Sequence, residues 1–364
     1  MTTFGARATR KNAGKRMKFG LHYQLPCYGA QTPVQRYRDT LDQSVHAESL
    51  GFESVWPVEQ HFNADLSITP APLLLLAALA ERTRTLRLGI AIVLLPLSHP
   101  LRVAEEIATL DVLSNGRVEF GIGRGAIPAH FTGFGVPQAE SRDRFDEALE
   151  VIVKAWTNER VSHAGRFFNV DNLAVVPKPV QQPHPPIRAA ANSLETFEHM
   201  GRAGLPIFVA TPINPFSKLK ETLALYRDAR KAAGHPDNGG DDVTLVLPLY
   251  VGEDRAQIRK FTEPSINHYL QTVAALYRAS VAKSATGASP LERVERLGAT
   301  SYEQAFESMA IFDTPGACVE RLRGVCDEFK IGRVICWFNI GGMIPHPQVM
   351  RSMELFAAKV MPHF

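Results

Sequence analysis

Short apolar runs alternate with longer stretches whose apolar residues recur at helical spacing, and the alternation persists from residue 18 to the C-terminus. This is the pattern of repeated βα units. The first strand falls on 18–23, and a helix on 33–50 follows, closed by Gly51 just past its last turn. Strand two covers 52–57, and Pro70 opens a helix that runs through LLLLAALAER. Residues 85–95 barely alternate, so they predict a third strand buried on both faces. Pro100 starts the next helix, and Ser114-Asn115-Gly116 ends it. Strand four is 118–123; a glycine-rich loop and a helix on 139–156 follow.

The Pro-rich stretch 158–186 interrupts the rhythm and predicts an extended surface excursion. Strands five and six fall on 187–191 and 206–210, with a helix starting near Ser193 between them. A helix on 216–233 precedes strand seven at 243–251. Long helices and an irregular region at 281–301 lead to strand eight at 333–338 and a last helix on 347–360. Eight strands, each followed by helix, predict a closed (β/α)8 TIM barrel with insertions after strands four and seven. An open doubly wound sheet is the alternative. Its glycine fingerprint is missing, because Gly121 and Gly123 lie on the fourth strand and no G-x-G-x-x-G follows.

In such a barrel the chemistry sits at the C-terminal ends of the strands. That rule selects His22, Tyr23 and Gln24 after strand one and Glu59, Gln60, His61 and Phe62 after strand two. It adds His99, then Arg124 with Gly125, then Asn192 with Ser193, and finally 339–342. The rim has no paired-carboxylate set, no H-E-x-x-H and no G-x-S-x-G elbow, so no metal is expected and no nucleophile triad is supported. Arg124, together with Ser193 and Thr196 where strand five turns into a helix, can form an anion cradle of guanidinium, hydroxyls and free backbone N–H groups. Ser193 can equally be a plain N-cap.

Charge changes the picture little. Lys+Arg 40 against Asp+Glu 37 gives +3, but Arg7, Arg10, Lys11, Lys15 and Arg16 all fall in the first sixteen residues, so the remainder carries −2. Residues 1–16 are expected to be a disordered basic arm, and 17–364 a single domain with no bias toward nucleic acid or anionic membrane. The longest apolar run, 72–80, is far short of the ~18 residues a membrane span needs. Cys27, Cys318, Cys326 and Cys336 include no C-x-x-C pair, which fits a reducing, cytoplasmic setting.

The order of motifs resembles that of the bacterial luciferase-like flavin-dependent monooxygenases. The resemblance rests on MKFGLHYQ, on AESLGFESVWPVEQHF, and above all on SHPLRVAEE, LDVLSNGR and FGIGRG in that order; AANSLETFEHMGRAGLPI and GGMIPHPQVMRSMELFA add to it. It implies reduced FMN supplied by a separate flavin reductase, O2 as co-substrate, and oxygenation of a small, largely apolar organic molecule through a flavin C4a-(hydro)peroxide. By the same resemblance the flavin phosphate lies near Arg124, Arg142, Ser193 and Thr196, and Asn192, in the cradle read from the strand-five turn, is expected to bind the cofactor with them. Ala91-Ile92 stands where the family commonly has a non-prolyl cis peptide under the ring.

Two departures accompany the likeness. Gln60 then His61 stand where luciferase has adjacent histidines, and Gly123 stands where it has a reactive cysteine. His61, Gln60 and His22 are therefore the expected catalytic residues, but luciferase's own assignment is not copied onto them. Phe62, Phe131, Phe134, Trp337 and Phe338 are expected to border a dry mouth, with 125–138 and 281–301 as lids. The resemblance also allows a reduced-deazaflavin hydride-transfer enzyme or a non-catalytic flavin-binding subunit, although Arg124 speaks against the latter. The apolar helix 72–82 and its neighbour 102–113 suggest a homodimer contact.

Overall fold

The computed structural model describes residues 16–281 and 297–364. All but the last residue of the proposed basic arm and most of the second proposed lid lie outside that range. In chain order the strands are β1 (Lys18–Tyr23), β2 (Ser54–Pro57), β3 (Arg87–Gly89), β4 (Val93–Leu94), β5 (Val118–Gly123), β6 (Val161–Ala164) and β7 (Asn169–Leu173). Then come β8 (Ile187–Ala190), β9 (Ile207–Ala210), β10 (Val243–Val251), β11 (Ile311–Asp313) and β12 (Arg333–Trp337). The helices are α1 (Pro33–Leu50), α2 (Pro72–Arg82), α3 (Pro100–Leu113), α4 (Pro128–Phe134), α5 (Ser141–Thr157) and α6 (Leu194–Arg202). They continue with α7 (Phe216–Ala232), α8 (Arg255–Val281), α9 (Tyr302–Ser308), α10 (Pro315–Phe329) and α11 (His346–Lys359).

Parallel pairing runs β12-β1-β2-β3-β5-β8-β9-β10 and returns from β10 to β12, so the sheet closes into the expected eight-stranded (β/α)8 barrel. Local chemistry fixes the helix ends. Thr32 caps α1 by accepting from the Gln35 N–H at 3.2 Å, Pro33 supplies its first turn, and Gly51 closes it at φ 85°. Pro72, not Pro70, opens α2. None of the described helices is long and apolar enough to cross a membrane.

Three expectations are corrected. The third strand is not continuous: β3 and β4 are separated by residues 90–92, which include a cis Ala91–Ile92 peptide. The reason lies on the neighbouring strand. A Cβ on Gly121 would collide with the carbonyl oxygen of Ile90, and one on Gly123 with the Ile92 side chain, so the bare backbone of β5 lets this segment leave the sheet line. The stretch 158–186 is not purely extended, because β6 and β7 pair as an antiparallel hairpin. β11 adds an unforeseen strand on the outer side of β10.

In-register neighbours in a parallel sheet share a face, which makes the barrel interior readable layer by layer. At the floor, Glu119 binds Arg87 at 2.7 Å, Arg188 at 3.2 Å and Arg333 at 2.8 and 2.9 Å. Above it, Trp56 reaches across to Phe208, with ring centroids 4.8 Å apart. Toward the C-terminal mouth the layer divides. His22 meets Trp337 on one side, and Gly123 and Ala190 on β5 and β8 are the small residues on the other.

Candidate active site

The end of β5 and the start of α6 are adjacent because β5 pairs with β8. Ser193 is the N-cap of α6: its Oγ accepts from the Thr196 N–H at 3.3 Å and lies 2.9 Å from Thr196 Oγ1. Arg124 Nη2 donates to Thr196 Oγ1 at 3.5 Å and has no carboxylate within ion-pair distance among the described residues. Burial lowers the Arg124 pKa, and the charge of nearby Arg142 lowers it further. Arg142 reaches Glu195 at 2.8 Å, a carboxylate that is itself largely exposed. Two neighbouring guanidiniums, two hydroxyls and a helix N-terminus are the donor set of a phosphate dianion, so these residues fit such a group. Asn192, next to the cap, is exposed, and its side chain makes no hydrogen bond among the described residues.

The small-residue side of the mouth lies beside this cradle. Ala91-Ile92 borders β5 there, and the Ile92 side chain lies against Gly123 where a Cβ would be. His22 belongs to the opposite wall. Its ring meets Trp337 edge-on at 4.7 Å, and Trp337 meets Tyr269 at 5.0 Å. Burial pushes His22 down to about 3, so the imidazole is neutral at physiological pH.

His61 and Gln60 form a second cluster with a residue the sequence did not single out. His61 Nε2 lies 3.0 Å from Glu59 Oε1, and Glu59 Oε2 accepts from the Leu94 N–H at 3.1 Å. Gln60 is buried, with Nε2 3.0 Å from His130 Nε2 on α4. The same His130 nitrogen lies 3.4 Å from the peptide N of His61 and 3.1 Å from its carbonyl oxygen. Burial first, and then the charge of His61, holds His130 at about 4. Nothing in the spacing joins positions 61 and 130; only the packing of α4 onto the loop after β2 does. Gln60 is thus a buried bracing group, and His22 shares no contact with His61.

The aromatic border is rearranged too. Phe338 packs against Phe52 and Phe356 in the helical shell, away from the mouth. Phe131 lies buried beneath Gly125. Phe62, at φ 60°, and Phe134 contact one another at 5.5 Å with exposed rings, and His61 sits 4.8 Å from Phe134. The first proposed lid, 125–138, is not a bare loop, because α4 occupies its middle.

Residues 17–328 match the family model for luciferase-like monooxygenases. The alkanal monooxygenase alpha chain of the Kryptophanaron alfredi symbiont is 27% identical over 358 residues, covering 95% of this chain and 98% of that one. Among solved structures, the monooxygenase RslO1 of Streptomyces bottropensis is 30% identical with a TM-score of 0.80, covering 95% of this chain and 99% of that one. The oxygenating constituent of 3,6-diketocamphane monooxygenase from the CAM plasmid of Pseudomonas putida, in complex with FMN, shares the fold at 18% identity and a TM-score of 0.81, with 96% and 98% covered.

Proposed function

Because the chain belongs to the luciferase-like monooxygenase family, we propose that it is the oxygenase of a two-component system. It accepts FMN reduced by a separate reductase and uses O2 to oxygenate a small, largely apolar organic substrate. Reduced flavin, when bound, supplies the activation of O2. The observation that carries the reading is the cradle at the β5–α6 junction, where half-buried Arg124 donates to Thr196 and no carboxylate among the described residues lies within ion-pair distance of it.

Arg124, Arg142, Ser193, Thr196 and the adjoining Asn192 would hold the phosphate. Ala91, Ile92 and Gly123 would face the ring. His61, oriented by Glu59, holds or moves a proton at Nε2, and Gln60 with His130 keeps that loop in place. Phe62 and Phe134 keep bulk water from the mouth. The exposed Leu74 of α2 and Val112 and Leu113 of α3 mark the face on which two copies would meet.

Anaerobic titration with photoreduced FMN, and separately with a reduced deazaflavin, tests this. Tight binding of reduced FMN, followed by reoxidation on adding O2, is the expected result. Preference for the deazaflavin, or binding of neither, overturns it.

A further inference from the structure

The protein has three tryptophans, and two of them satisfy their indole N–H. Trp56 donates to Ser54 Oγ at 2.8 Å and Trp156 to the Ala104 carbonyl at 3.0 Å. Trp337, only 4% exposed, has no acceptor among the described residues. It borders a cavity of about 20 Å³ that His22, Gln24, Arg36, Asp39 and Gln43 also line. Around it, His22 Nδ1, Gln24 Oε1 and Arg36 Nε are likewise buried without partners. Such a space admits about one water molecule and no organic group, and it offers more polar partners than one water requires.

The cavity leads away from the mouth, between β1 and β12 on one side and α1 and α11 on the other. Asp39 Oδ1 lies 3.8 Å from His346 Nδ1, which in turn lies 3.0 Å from Gln43 Nε2; Asp39 and His346 are both partly exposed. Of the other groups facing the space, burial raises the Tyr23 phenol and the Cys336 thiol so that neither ionises near neutrality, and Arg36 stays cationic. Asp39 is the carboxyl that lines the cavity and also reaches the surface beside His346.

We propose that this cavity holds a water bridging the Trp337 indole N–H and His22 Nδ1, and that with Asp39 it forms an inlet carrying protons from the surface beside His346 to His22 at the mouth. In each transfer Asp39 gives a proton to the water and is reprotonated from solvent. The water gives one to His22 Nδ1 while the Nε2 proton leaves toward the mouth, so the ring remains neutral; after product leaves, solvent in the mouth returns a proton to Nε2 as Nδ1 gives one back to the water, which restores the first tautomer. The low pKa of His22 agrees with a neutral starting ring. The purpose of the inlet rests on the proposed oxygenase reaction, in which one atom of O2 leaves as water inside a mouth closed to bulk solvent.

The water is tested on the flavin-free, full-length protein labelled with 15N-tryptophan, its signals assigned with Trp337→Phe. The Trp337 indole N–H is expected to show a cross-peak to water and to exchange at least about tenfold faster than those of Trp56 and Trp156. Thr40→Leu, which fills the cavity, should abolish that cross-peak while the other two signals report an intact fold. A slowly exchanging Trp337 without a water contact overturns the proposal. For the inlet, Asp39→Asn should slow oxidation of bound reduced FMN about fivefold and enlarge its solvent deuterium isotope effect, with reduced-FMN affinity unchanged. An unchanged rate and isotope effect overturns the inlet. If the unmodified protein binds no reduced FMN, the oxygenase reading fails and the indole measurement still decides the water.

Discussion

Arg124 is half-buried and donates to the Thr196 hydroxyl, with Glu195 and Asp146 near but no carboxylate within ion-pair distance among the described residues, so an anion placed there gains a charge-assisted contact that replaces no existing salt bridge of Arg124. Arg124→Ala should weaken reduced FMN about 10- to 100-fold in anaerobic titration, the equivalent of one charged hydrogen bond. Unchanged affinity would move the phosphate elsewhere. Two glycines of β5 make a contrasting pair. A Cβ at 121 meets the Ile90 backbone, which cannot yield locally, whereas one at 123 meets the terminal methyl of Ile92, which can rotate. Gly121→Ala should therefore cost about 2 kcal/mol or more in denaturant unfolding, and Gly123→Ala about 1 kcal/mol or less. Equal losses would show that the close approach of 90–92 is not what fixes these positions.

At the scale of elements, α4 and the loop after β2 form one body because a single imidazole joins them. His130 Nε2 meets Gln60 and both peptide groups of residue 61, while Phe62 packs on Phe134. His130→Ala leaves those buried groups without partners, a loss of about 1–3 kcal/mol. Amide hydrogen exchange across 125–138 should accelerate, with little change in the barrel strands; protection equal to the unmodified protein would mean that α4 is held by the phenylalanines instead. The β6–β7 hairpin has a comparable origin. Glu147 on α5 accepts from the backbone N–H of Phe168 at 2.7 Å and of Phe167 at 3.1 Å, and so shapes a turn whose local sequence predicts only an extended chain.

For the molecule as a whole, the barrel floor sets the response to acid. Burial alone would raise the Glu119 carboxyl, but Arg333, Arg188 and Arg87 overcome it and bring it down to about 2. A carboxylate depressed in the fold stabilises it fully above its unfolded value near 4.3, and loses that contribution as the pH falls through about 2. About 3 kcal/mol is involved. Glu119→Gln should lower stability at pH 7, because buried Arg188 and Arg333 and half-buried Arg87 lose their charged acceptor, and should flatten the fall in stability between pH 4.5 and 2. An acid-unfolding curve of unaltered shape would reject this account. Light scattering at micromolar concentration should give twice the chain mass, and Leu74→Glu with Leu113→Glu should halve it; a monomer throughout would exclude the α2–α3 contact.

The barrel was legible in the sequence because its signals are local: a buried strand needs a run of apolar residues, a helix needs an apolar stripe, and Thr32, Pro33 and Gly51 mark boundaries through their own backbone chemistry. The Arg124, Ser193 and Thr196 positions were legible for a related reason, since strand ends and helix starts can be read along the chain. Partnerships across the chain could not be read. The break in the third strand depends on missing side chains about thirty residues away, and the bracing of Gln60 on an imidazole seventy residues on. The inward turn of Trp337 and outward turn of Phe338 depend on the register of β12. Such contacts arise only when the sheet closes, because closure is what brings residues distant in sequence within hydrogen-bond and van der Waals range.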